Sequence, residues 1–186
     1  GFEIAMARLV APHAGMSTDT WTAIIAAFLL ALALGNHIGG RVAAVSDMRQ
    51  RLCVAAGAML AAAFAIAVTP LAMPWWDAAI LSPAPAAPWR IVMFSAVPCL
   101  PAGLALGIAT PLLMNAALTL SRSHAVAGLV YGAGATGSVC GVLCVLWWWL
   151  DALGTRATLL GIAMVALALA AAIATTALTR PQTALA

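Results

Sequence analysis

Few side chains in this 186-residue chain are of a type that does chemistry, and their spacing must be weighed first. GAGATG at Gly132 to Gly137 has the G-x-G-x-x-G spacing of a dinucleotide-binding turn. That turn has to leave a strand, open a helix and be followed about 20 residues on by an acid for the ribose. Here the glycines lie in an apolar run that ends in Trp147, Trp148 and Trp149, and the downstream acid, Asp151, belongs to a loop. No cofactor is expected. Cys140 and Cys144 are four apart and share a face if helical, yet no histidine or further cysteine is near in sequence to complete a metal site. With Cys53 and Cys99 they are expected to act as small hydrophobes, without a disulfide or a metal. His13, His37 and His124 each fall at the end of an apolar run. No nucleophile with its base, carboxylate pair or zinc motif stands out, so no catalytic residue is assigned.

Two polar groupings remain. Pro98, Pro101 and Pro111 should kink or break the run that holds them, because each removes a backbone donor and crowds the preceding turn. With Thr110 and Asn115 they form the candidate for a polar pocket, the plain alternative being a simple kink. Glu3 and Arg8 are charges within an apolar stretch, where desolvation demands a partner or water. Five residues separate them, about 140° around a helix, so other helices or water are the expected partners. With His13, Asn36 and His37 they are read as structural or interfacial.

The elements that position these groups follow from composition. Hydrophobic residues make up 65% of the chain and charged residues 7%, whereas a soluble domain carries about 25% charge. An all-α, polytopic transmembrane helix bundle in the lipid bilayer is expected, as a single domain over residues 1–186. Spans are placed at Thr20 to Ile38, Leu52 to Met73, Ile91 to Leu120, Gly128 to Leu150 and Ala157 to Leu178. Gly1 to Ala11 reaches only about 16 Å as a helix, so it is read as the later part of a first span, giving about six in all. Gly39 to Arg51 is expected to be a solvated loop. Pro74 to Trp89, with Pro74, Pro83, Pro85 and Pro88, is expected to be an extended lid on the membrane surface.

Arginine placement sets the orientation. Arg41, Arg49, Arg51, Arg122 and Arg180 fall on one side and only Arg90 and Arg156 on the other, so the first side is cytoplasmic and carries the carboxy terminus. The basic residues form no stripe with interleaved aromatics, which argues against nucleic acid. Trp21, Trp75, Trp76, Trp89, Trp147, Trp148 and Trp149 all fall at span ends on the outer side, an interfacial belt with an aromatic docking surface as the alternative. Three pairs of glycines four apart, Gly35/Gly39, Gly103/Gly107 and Gly137/Gly141, are expected to let helices approach closely, in the bundle or toward other membrane subunits.

A family resemblance rests on three stretches. Gly1 to Arg41, with Glu3 and Arg8, LVAPHAG and WTAIIAAFLLALALGNHIGGR, resembles the opening of the membrane domain of the fused major-facilitator-like/spermidine-synthase-like proteins of bacteria. PAGLALGIATP and the segment Gly128 to Thr158, with LVYGAGATGSVCGVL and ALGTRAT, are similar to its later part. The resemblance implies the membrane half of such a protein, in the bacterial inner membrane. The aminopropyltransferase-like half of the family has no counterpart among these residues, so its catalytic positions cannot be carried over. Gly39 to Arg49 also looks loosely like the inner loop after the second helix of major facilitator transporters. The functional expectation is an accessory or scaffold subunit of a larger membrane complex. The alternatives are half of a small-molecule (polyamine-like) transporter, its ligand unspecified, or the membrane anchor of a spermidine-synthase-like enzyme.

Overall fold

The computed structural model describes residues 1–81, 88–121 and 124–179, all in helices or the short links between them, with no strand among the described residues. The helices are α1 (Phe2–Ala14), α2 (Thr18–Val45), α3 (Met48–Trp76), α4 (Pro88–Ala96), α5 (Cys99–Ser121), α6 (His124–Cys144) and α7 (Leu150–Thr179). Two π-helical turns, Asp77–Leu81 and Val145–Trp149, follow α3 and α6. Four helical stretches are long and apolar enough to cross a membrane: Thr18–Val45, Met48–Leu81, Cys99–Leu120 and Gly128–Thr179. The protein is an all-α helical bundle with the build of a membrane protein. Arg122, Arg180, Pro83 and Pro85 lie outside the described residues.

The fourth stretch covers 52 residues, far more than the roughly 20 that one crossing needs. It is divided at Gly154, whose φ of 75° and ψ of 171° are not helical. Gly15, after α1, has almost the same conformation, φ 76° and ψ 167°. This region is open essentially to glycine alone. The chain thus turns two helix corners, one from α1 into α2 and one within α7 at Gly154, with the same residue type in the same geometry.

α5 sits between α2 and α3, with which it makes two of the three most extensive helix contacts; α7 covers the far side of α3. The 13-residue α1, about 20 Å long, packs on α2, α4 and α7. Its buried Phe2, Met6, Leu9 and Val10 join Ile24, Ile66, Met73, Phe94 and Leu159 in the main apolar core, and Phe2 meets Phe28 at a ring distance of 5.7 Å. Much of the remaining core is alanine, Ala55, Ala58, Ala62, Ala63, Ala109, Ala166 and Ala170 among it, so helix backbones come close together. Lipid gives helices no hydrophobic reason to associate, and small side chains supply the close van der Waals contact that does.

Two expectations are corrected and a third is sharpened. Gly39 to Arg51 is not a solvated loop: α2 continues to Val45 and α3 begins at Met48, leaving Ser46 and Asp47 as the link. Asp47 caps α3 by accepting the Gln50 N–H at 2.7 Å, and Gln50 Oε1 accepts the Asp47 N–H at 3.3 Å. This reciprocal box allows helix to restart after two residues. Second, Pro74 does not end α3, which runs through Pro70 and Pro74 to Trp76 before the π turn. An apolar phase offers freed backbone groups no water, so the helix persists by local adjustment; the Asp77 N–H reaches the carbonyls of both Met73 and Pro74. Third, the break expected in the proline-bearing run is present at Pro98: Ile91 to Leu120 divides into α4 and α5 at Val97 and Pro98, while Pro101 and Pro111 lie within α5.

Candidate functional site

Two of the three glycine pairs face each other. Gly35 and Gly39 of α2 are buried against α5, and Gly103 and Gly107 of α5 are buried against α2. A β-carbon on Gly35 would collide with the Leu104 carbonyl oxygen, and one on Gly39 with that of Ile108. On the other side, a β-carbon on Gly107 would lie 2.5 Å from the Leu32 carbonyl oxygen, and one on Gly103 2.9 Å from the Ala31 β-carbon. The obstacles are mostly backbone, which cannot step aside. This crossing is the structural centre of the bundle.

The third pair behaves differently. A β-carbon on Gly137 or Gly141 would meet nothing within 4 Å, and the same holds for Gly128, Gly132 and Gly134. Residues 131 to 140 are exposed without interruption, which on a helix means exposed on every side. Leu129 and Tyr131 are 72% and 71% exposed. Gly137 therefore packs no neighbouring helix of this bundle, and Gly141, half-buried, meets the start of α1 and no long helix. The GAGATG segment lies within the same open stretch of α6, in helix and with no strand before it, which is not the setting of a dinucleotide-binding turn.

α6 is held at its Trp149 end. There it diverges from α7, and the start of α1 enters the gap: a β-carbon on Gly1 would sit 3.2 Å from the Gly141 carbonyl oxygen and 3.3 Å from a Val145 methyl. The gap is an apolar cleft of about 290 Å³, with Phe2, Gly137, Gly141, Val145, Trp149 and Val165 among its walls. The Trp149 ring also fills the space over Gly161, where a β-carbon would come within 2.8 Å of it.

α1 also carries ionisable groups. Arg8 Nη1 is 4.0 Å from Asp151 Oδ1, with both side chains at least half exposed. His13 Nδ1 is 3.4 Å from Asp77 Oδ2, and its imidazole is 5.7 Å from the Phe94 ring. Neither acid was matched to its partner from the sequence, because nothing in sequence separation tells which helix ends converge. Glu3 is half-buried in the first turn of α1. Both contacts tie α1 to helix ends on one side of the bundle, the side on which all seven tryptophans fall by helix order. Trp75, Trp89, Trp147 and Trp148 are 61 to 79% exposed, while Trp21 and Trp76 fold partly onto the core. That arrangement suits anchoring at a membrane interface.

The candidate polar pocket does not close. Pro98 is buried and Pro111 half-buried against Gly39, but Pro101, Thr110 and Asn115 are exposed. The Thr110 hydroxyl donates to the Leu106 carbonyl at 3.1 Å, satisfied within its own helix. Cys53 and Cys140 are exposed, Cys144 half-buried and Cys99 buried, all as free thiols. Among the described residues, no group of three or more His, Cys, Asp or Glu side chains could hold a metal ion. Comparison of the chain with protein-family models, curated proteins and solved structures finds no match.

Proposed function

We propose that this chain is a non-catalytic helical module of a bacterial inner membrane that serves as an accessory or scaffold subunit of a larger membrane protein assembly, with its carboxy-terminal end in the cytoplasm. The observation that carries the reading is α6. A helix whose glycines and apolar residues are bare on every side over residues 131 to 140 is uncommon in a bundle whose other long helices bury a face. Small residues in lipid are of use where another helix comes close. The partner is another membrane-spanning helix.

A photo-crosslinking amino acid placed at Gly132 or Ala135 of α6, and for comparison at Leu30 on the exposed side of α2, tests this in intact membranes. The α6 positions give one protein adduct of defined mass, Leu30 gives none, and Gly132→Leu abolishes the adduct. Adducts to lipid alone at all three positions contradict the reading. A small-molecule carrier is less well supported. Thr110 and Asn115 are exposed, so such a carrier would need a second half-bundle laid over that side of α5.

A further inference from the structure

We propose that the helix ends flanking the Ser46–Asp47 link hold the headgroup of one anionic phospholipid, with its phosphate on Arg51 and further positive charge from Arg41 and Arg49. The leaflet is the one opposite the tryptophan ends. This goes beyond the scaffold reading and does not depend on it.

Arg51 carries the argument. Its Nε is the one buried side-chain nitrogen or oxygen without a hydrogen-bond partner among the described residues. A buried cationic N–H without an acceptor costs more than a neutral one, so the group calls for an anionic oxygen. The chain does not supply it: among the described residues Arg41, Arg49 and Arg51 have no ion-pair partner, and Asp47, the acid beside them, is spent on the α3 cap. Helix stability does not explain the placement either. Arg49 and Arg51 lie within the first four residues of α3, where a cation opposes the helix dipole.

Geometry says what kind of anion fits. Arg51 precedes Ala55, Ala58 and Ala62 on one face of α3, all buried, so its stem lies over the end of an apolar seam. Helical side chains lean toward the N-terminus of their helix, which here is the membrane surface, and the partly exposed guanidinium therefore sits at headgroup level. No bond holds it there, so turning its Nε–Nη edge toward a phosphate breaks no contact and gains two parallel hydrogen bonds. From three residues beyond Arg51, Val54, Gly57 and Ala61 form an exposed strip along α3 into the membrane, a bed for an acyl chain. Positive charge at the surface with an apolar strip directly beneath it suits a phospholipid and not a soluble phosphate.

The test releases the intact protein from nanodiscs of equal phosphatidylglycerol and phosphatidylcholine and counts bound lipids by native mass spectrometry, with circular dichroism as the check of fold. Wild type should keep one phosphatidylglycerol in preference to phosphatidylcholine. Arg51→Gln should lower that adduct roughly ten-fold, the scale of a lost charged hydrogen bond, and leave phosphatidylcholine binding unchanged. Arg51→Lys keeps the positive charge, and with it the membrane orientation, but lacks the planar fork, so it should lower the adduct several-fold. Should Arg51→Gln misfold or invert, the lysine variant decides. Arg156→Gln, at an exposed arginine on the tryptophan side, should leave the adduct unchanged. Equal retention of the two lipids, a preference that survives both Arg51 variants, or loss of the adduct on adding free glycerol phosphate overturns the proposal.

Discussion

Gly107 of α5 lies in backbone contact with Gly35 of α2: a β-carbon added to Gly107 would come within 3.0 Å of the Gly35 α-carbon. Neither helix can yield without separating from the other. Gly35→Leu or Gly107→Leu should therefore cost at least the ~1–3 kcal/mol of overpacking, because the obstacle is main chain and not a flexible side chain. Unfolding by added SDS in mixed micelles, followed by circular dichroism, measures it. Gly57→Ala is the contrast, since a β-carbon there meets nothing within 4 Å. It should be neutral or stabilise by up to about 1 kcal/mol through helix propensity.

The corners at Gly15 and Gly154 make a second prediction. Both hold φ near +75° with extended ψ, and both have open space around the missing β-carbon. Gly15→Ala and Gly154→Ala should each cost about 1–3 kcal/mol from backbone strain alone. The same SDS titration reads it. Costs near zero would mean that the corners do not hold these angles.

A third concerns the link between α2 and α3. Asp47→Ala removes the acceptor of the Gln50 N–H and should destabilise by about 1 kcal/mol, whereas Asp47→Ser keeps a cap and most of the stability. Thermal melting of the detergent-solubilised variants distinguishes the two substitutions.

The Arg8–Asp151 ion pair should matter little to stability. Arg8→Gln removes an exposed pair at 4.0 Å and should change the unfolding free energy by no more than about 1 kcal/mol. Any larger loss in the SDS titration would indicate a contact that Arg8 makes in the membrane beyond Asp151.

The membrane class and the long helices were legible because lipid imposes one rule, apolar runs of sufficient length, and Thr18–Val45 or Met48–Leu81 obey it plainly. The pairing of Gly35/Gly39 with Gly103/Gly107 was half legible: spacing tells which faces permit close approach but not which helix arrives. Gly137/Gly141 has the same spacing yet receives no long helix, only the start of α1 at Gly141, for that reason. Pro74 misled because the rule that proline ends a helix is calibrated where water can satisfy the freed carbonyls. The Asp47 cap was missed although its signal, an aspartate three residues before a glutamine ahead of an apolar run, is present in the sequence. The cleft lay beyond reach, since it depends on the divergence of α6 from α7 and on α1 entering between them.

The central claim is that the chain threads repeatedly through a bilayer with its tryptophan-rich helix ends together on one side. The most direct measurement is labelling of single cysteines in a cysteine-free background by a membrane-impermeant maleimide, in spheroplasts before and after permeabilisation. Cysteines at Ser17, Ala78 and Ala152 should label together in intact spheroplasts, and a cysteine at Ser46 only once the membrane is opened. Labelling of Ser17 and Ser46 from the same side, or recovery of the protein in the soluble fraction, would contradict the account.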